Sequence, residues 1–343
     1  MRAALVLAML PVMTQAADYA AERLTVDGVE VIRLAHSPSR TEVLIAPSFG
    51  NNSYEMTVRG KRVFWSPVKT LGERMARSTF AGNPFLAPWA NRLDQDAFFA
   101  NGRKYVLNPD LGNFRRDGNG KPIHGLLAYA KEWQVAALRA DNSGAEVTSR
   151  LEFSRWPAYA AQFPFAHTIE MTYRLRETTL EVETVIENHA TEPMPVAVGY
   201  HPYFQVNDAP RDEWSVHVAA RDQVVLSNLL IPTGEVKPAQ LAEWNPLAGR
   251  QFDDVFTTLT RGADGRATFK LRGKTEEVHV VYGPKYTVAV VYAPPGRGFV
   301  CFEPMSAPTN ALNLAHAGLY KDLQSIPAGG RWQESFWIRA TGF

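Results

Sequence analysis

The sequence predicts an all-β protein, built as a large antiparallel sandwich or barrel. Segments of apolar–polar alternation recur along most of the chain, and clusters of turn residues separate them. Stretches of helical period are few, and strands that follow one another without intervening helices argue against a parallel α/β sheet.

Residues 42–45 read as an early strand, and 133–138 and 146–153 as two more. In His167–Arg176, Ile169, Met171, Tyr173 and Leu175 alternate with Glu170, Thr172 and Arg174. Residues 180–188 repeat the pattern, with Leu180, Val182, Thr184 and Ile186 on one face. Glu177-Thr178-Thr179 between them reads as a hairpin turn. Residues 215–218, 277–282, 286–292 and 335–339 complete the series. Asp27-Gly28, Asp141-Asn142-Ser143-Gly144, Gly262-Ala263-Asp264-Gly265 and Pro294-Pro295-Gly296 supply turns. Trp156-Pro157 and Phe163-Pro164 are expected to break any helix near Tyr159, while 238–244 could form a short one. Residues 70–98 and 108–128 are long and irregular, which is unusual between strands and marks functional loops. No linker or fixed-period repeat interrupts the pattern, so residues 17–343 read as one domain.

Composition narrows the function classes. Hydrophobic content of 45% and charged content of 21% are ordinary for a soluble globular protein. A net charge of +1 without a basic run gives no support for a nucleic-acid surface. The single cysteine, Cys301, excludes an internal disulfide. Residues 1–16 read as a signal peptide: Met1-Arg2, an apolar run over 3–12, then small residues at Ala16. That implies a periplasmic protein without a membrane span, whereas a start at Met13 would leave it in the cytoplasm.

The chemistry gathers around residues 299–313. Phe299, Cys301 and Glu303 share one strand face, and Pro304, with no N–H to donate, is expected to end the strand. A partly desolvated carboxylate at a strand mouth has a raised pKa and makes a better base near neutral pH, although a solvated strand-end Glu is the plainer alternative. Ala197, Gly199 and His201 share a face in 196–204, where small side chains beside a histidine leave room for a ligand. His124 stands before Gly125 in a long loop, and Asn91-Arg92 offers a guanidinium fork for hydroxyls or a carboxylate. Asp253-Asp254 could accept from sugar hydroxyls or cap a turn. Phosphate-loop, metal-ligand and serine-elbow motifs are missing, so no cofactor or metal is expected.

Taken together these motifs resemble the aldose 1-epimerase (galactose mutarotase) family. The similarity runs in order from Ile45-Ala46-Pro47-Ser48-Phe49-Gly50 through Gly82-Asn83-Pro84, Asn91-Arg92, His124-Gly125, Gly199-Tyr200-His201-Pro202-Tyr203-Phe204 and Asp253-Asp254-Val255-Phe256 to Phe302-Glu303-Pro304. The resemblance implies a galactose mutarotase-like supersandwich with a sugar in an open cleft on one sheet. It implies Glu303 as the base that takes the proton of the anomeric hydroxyl and His201 as the acid that protonates the ring oxygen. It implies that Arg92 and His124 hold the sugar and that Asp253 binds ring hydroxyls. Asp253 is preferred to Asp254 because the family places the acid three residues before an aromatic, here Phe256. Asn91 and Tyr203 are expected to bind substrate as well. Trp65, Trp89, Tyr203 and Phe204 could each offer an apolar face to sugar C–H groups or belong to the core. Tyr200 departs from relatives that have Asn before the histidine.

The expectation is therefore an isomerase acting on a free hexose, as a monomer or homodimer. Alternatives are a hexose 6-phosphate epimerase, with Arg115-Arg116 as a phosphate pocket, and a non-catalytic carbohydrate-binding protein. A glycosidase would need a second acid facing Glu303, for which Asp253 or Asp254 is the evident candidate.

Overall fold

The computed structural model describes residues 18–343; the segment read as a signal peptide lies outside them. The chain opens with a five-stranded antiparallel meander: Tyr19–Val26, Val29–His36, Thr41–Ala46, Asn52–Val58 and Lys61–Arg62. Two larger sheets follow, and every ladder among the described residues is antiparallel. One has nine strands, in the order Gln134–Asp141, Gly144–Glu152, His167–Arg176, Thr179–Asn188, Arg331–Thr341, Glu277–Tyr282, Ala267–Arg272, Ser215–His217 and Asn245–Pro246. The other has eight. Its path runs from Pro232–Pro238 through Ala220–Leu226, Phe252–Leu259, Val288–Ala293 and Val300–Met305 to Gly199–Tyr200 and Phe85–Leu86, with Tyr203–Phe204 also pairing Val300–Met305. This is the sandwich that the alternation predicts.

The inner faces of the two sheets pack through aromatic side chains. Tyr200 on the eight-stranded sheet lies 4.8 Å, centroid to centroid, from Phe336 on the nine-stranded sheet. Phe302 and Phe269 meet across the same interface at 5.9 Å. These rings bury large apolar area, the main favourable term in the fold. Alternation then turns Cys301 and Glu303 to the outer face of the eight-stranded sheet, where the irregular loops of residues 63–133 lie.

Several local expectations are corrected. Pro157 does not break a helix but starts one, Pro157–Gln162, because the first helical N–H has no acceptor within the helix. No helix forms over 238–244. Strand Pro232–Pro238 runs into this segment, and the N–H of Ala239 still donates to the Arg221 carbonyl at 2.8 Å. Pro304 does not end its strand, which continues to Met305. On one side its neighbour is interrupted: Gly199 pairs with Met305 and Tyr203 with Cys301, but His201-Pro202 between them leave the ladder. The missing N–H of Pro304 falls at that gap, so no bond is lost.

Candidate active site

The gap in the ladder sets the central contact. The register is the same on both sides of it, with Gly199 opposite Met305 and Tyr203 opposite Cys301, which puts His201 across from Glu303. The other edge of the His201 segment is fixed by loop carbonyls: His201 N–H donates to Pro84 at 3.0 Å and Tyr203 N–H to Gly82 at 2.8 Å. As a result His201 Nε2 lies 3.3 Å from Glu303 Oε1. Both side chains are buried, and neither His201 Nδ1 nor Glu303 Oε2 has a hydrogen-bond partner among the described residues. A buried polar atom without a partner is costly, so a site keeping two of them beside a cleft is suited to a polar ligand.

Aromatic rings wall the pair. Tyr203 stacks on His201 at 4.7 Å and Phe80 meets it edge-on at 5.2 Å. Phe80 also stacks on His124 at 5.0 Å, and the rings of His124 and His201 are 5.4 Å apart. His124 takes a left-handed backbone, φ 64°, and its N–H donates to the Asn91 carbonyl at 2.9 Å. Gly125 beside it has φ 64°, and a Cβ there would lie 2.1 Å from the Ala87 carbonyl oxygen. Glycine is therefore required for the loop to reach the sheet at this point.

Asn91 and Arg92 act as a unit. Asn91 Oδ1 accepts from Arg92 N–H at 2.9 Å and from Arg92 Nη1 at 3.0 Å. Arg92 Nε donates to Asp117 Oδ2 at 2.6 Å, while Asp117 Oδ1 accepts from the N–H groups of Asn119 and Lys121 at 2.9 Å each. Asp117 thus ties the 115–124 loop to the arginine. Arg92 Nη2 has no partner among the described residues.

On the sheet floor, Phe252 and Phe256 face the core, so Asp253 faces the cleft opposite Tyr292. Asp254 turns the other way and accepts from Gln223 Nε2 at 2.5 Å. Glu303, His201, His124, Arg92, Asn91, Asp253 and Tyr203 all line one cleft of about 270 Å³.

Sequence reasoning missed Phe80, Asp117 and Tyr292 as lining residues, and named Arg115 only together with Arg116, as a phosphate pocket. The irregular loops 70–98 and 108–128 were the available signal for Phe80 and Asp117. Trp89 and Phe204 are fully buried core residues, and Trp65 packs against Phe299 at 4.6 Å. The space above Gly199 holds no ligand: a Cβ there would meet the Pro304 carbonyl at 2.8 Å and Met305 Cγ at 2.9 Å. Tyr200 points into the core, where its hydroxyl bonds Thr184 Oγ1 at 2.5 Å. Arg115 and Arg116 do not act together, because Arg116 is paired with Asp96.

Electrostatics shapes the pair further. Burial pushes the Glu303 carboxyl well above its ordinary range, and the negative Asp253 adds to this while Arg92 opposes it. Burial lowers His201 to about 3, with Arg115 and Arg92 contributing. His124 is lowered for the same main reason, then by His201. Asp253 is raised by desolvation, against Arg92. Both members of the 3.3 Å pair are thus driven towards their neutral forms. No cluster of three or more potential metal ligands occurs among the described residues.

A model of the family described as aldose 1-epimerase matches residues 67–339, most of the chain. The chain belongs to the aldose 1-epimerase family. A galactose mutarotase-like protein from Clostridium acetobutylicum superposes with a TM-score of 0.84 at 20% identity, covering 95% of this chain and 99% of that one. Galactose 1-epimerase from Lactobacillus acidophilus superposes with a TM-score of 0.71 at 10% identity, over 95% and 100% of the two chains. At these identities the likeness shows the fold, a galactose mutarotase-like β-sandwich. An uncharacterised protein of Escherichia coli, YphB, is 24% identical over 151 residues, 43% of this chain and 46% of that protein. The match therefore spans about half of that relative.

Proposed function

We propose that the protein is an aldose 1-epimerase that exchanges the α and β anomers of a hexose by opening and reclosing the ring. The observation that carries this is the 3.3 Å contact between His201 Nε2 and Glu303 Oε1 in a cleft lined by further hydroxyl-binding groups. O1 and O5 of a pyranose are both bonded to C1, so adjacent proton-transfer groups can serve them together. Ring opening moves the O1 proton to Glu303 and a proton from His201 to O5. The aldehyde turns about C1–C2, and closure returns both protons.

The pair therefore alternates between carboxylate with imidazolium and carboxylic acid with neutral imidazole. Its proton count does not change, so no co-reactant is consumed. Before a sugar binds, burial favours the neutral arrangement. Sugar hydroxyls that donate to Glu303 stabilise its carboxylate and move the pair towards the arrangement that opens the ring. Arg92, held by Asp117 and Asn91, steadies negative charge on O1 or a neighbouring oxygen. Asp253 accepts from ring hydroxyls at the other end, and Tyr203, His124 and Asn91 complete the binding surface.

The contact of Glu303 with an imidazole favours this over a glycosidase, whose two carboxyls flank the scissile bond about 5–9.5 Å apart and need no histidine against either one. A binding protein without turnover has no need of a base and acid in contact. Anomer exchange followed by proton NMR over a panel of aldoses tests the proposal. Enhanced exchange for at least one aldose is expected, and no enhancement for any would overturn it.

A further inference from the structure

Strand Val300–Met305 carries Glu303, and the chain then runs straight into a segment that touches the other two parts of the site. The N–H and Oγ of Ser306 both donate to the Val198 carbonyl, each at 2.9 Å, three residues before His201. Asn310 then reaches the arginine turn. Its N–H donates to the Arg92 carbonyl at 2.9 Å, and its Oδ1 accepts from the Asp94 N–H at 3.1 Å. Asn310 therefore holds the chain on both sides of Leu93, whose own N–H donates to the Pro122 carbonyl at 2.9 Å.

This is not what an asparagine at that position ordinarily does. Asn310 immediately precedes helix Ala311–His316, where its oxygen would accept from a helical N–H. Here the side chain makes no such bond, and the backbone is left-handed, φ 61°. The oxygen is turned to the arginine loop instead. Asn313 faces the same way: its Nδ2 donates to Asp94 Oδ1 at 2.6 Å and to the Ala97 carbonyl at 3.1 Å. On the loop side, Asn91 has φ 57°, so the turn that projects Arg92 takes a conformation that residues other than glycine rarely adopt and that the surrounding structure must enforce. Asn310 is 2% exposed and does not line the cleft, so its effect on the site passes through the backbone of Arg92.

We propose that Asn310 is a positioning residue for the reaction, acting through Arg92: it locks the guanidinium in register with Glu303 and His201. One short segment, 303–310, thus ties the base, the strand of the acid and the arginine to one another. The kinetic consequence rests on the epimerase reading, whereas the hold on Arg92 can be tested without it.

Asn310→Gly is the informative variant. Glycine takes φ 61° without strain and keeps the N–H bond to Arg92, so the bond to Asp94 is what is lost. For whichever aldose wild type exchanges fastest, kcat/KM should fall roughly three- to tenfold. In an Arg92→Gln background the same substitution should change it by less than about twofold, because both changes act on one group. Equal losses in the two backgrounds would make Asn310 a general support of the fold and overturn the proposal, as would an unchanged kcat/KM with or without a lowered melting temperature. Proton–nitrogen NMR of the sugar-free protein supplies a second readout. The Arg92 Nε–H, bonded to Asp117 at 2.6 Å and assigned by its loss in Arg92→Gln, should exchange with solvent faster in Asn310→Gly. Should wild type exchange no aldose, the epimerase reading fails and this measurement decides alone: faster exchange supports the hold on Arg92, an unchanged rate removes it.

Discussion

His201 Nε2 lies 3.3 Å from Glu303 Oε1, and the two residues face each other across an interrupted ladder. The contact predicts an unusual pH dependence. The working pair carries one proton. A second proton must go to His201, which is held down to about 3, so little activity is lost on the acid side of neutrality. The single proton is lost from Glu303, whose pKa is raised, so activity falls as pH rises through that value. A kcat profile measured from pH 4 to pH 10 should be flat at its acid end and decline at its alkaline end. An acid limb centred near 6.5, the ordinary histidine value, would show that His201 titrates independently.

His201→Asn separates chemistry from binding. The substitution removes the proton carrier but keeps a small polar side chain in the same pocket. Turnover should fall by roughly 10²–10⁴-fold, with a much smaller change in sugar affinity measured by calorimetry. A change confined to affinity would make His201 a binding residue.

Asp117→Asn tests the anchoring of Arg92. Asparagine keeps an acceptor for the Asn119 and Lys121 N–H groups, so the loop should hold. The amide NH2 then faces Arg92 Nε, so the charged bond is lost, and a charge-assisted bond is worth about 1.5–3 kcal/mol. Only part of that reaches the substrate. KM should rise roughly tenfold with kcat less affected, and an unchanged KM would remove Asp117 from the site.

Gly125→Ala tests the close approach that presents His124. The added Cβ meets the Ala87 carbonyl at 2.1 Å, and φ 64° disfavours any side chain. The loop must shift or the fold must take up strain of at least about 2 kcal/mol. Calorimetry should show a melting temperature lowered by several degrees, with anomer exchange reduced as well. A variant with unchanged stability and activity would mean that the loop relaxes freely.

The sandwich was legible because alternation has a period of two and survives any arrangement of strands. In His167–Arg176 it names the buried face residue by residue. Topology was not legible, since the pairing of Thr179–Asn188 with Arg331–Thr341 depends on contacts remote in sequence. The lining positions of Glu303 and His201 followed from short motifs carried by the family resemblance. Phe80 and Asp117 were missed because a lone aromatic or carboxylate in an irregular loop carries no periodic signal. Two local misreadings share a cause. Pro157 and Pro304 were judged by what proline forbids, whereas each sits where the missing N–H has nothing to bond.

Glu303→Gln, compared with wild type by polarimetry of fresh α-glucose and α-galactose, tests the central claim most directly, with the set extended to other aldoses if neither sugar responds. Glutamine preserves shape and removes the proton-accepting carboxyl, so the fold should be retained. Wild type should speed the decay of optical rotation for at least one aldose of the combined set, and the variant should lose that acceleration by roughly 10²–10⁴-fold. Full activity in Glu303→Gln would contradict the account.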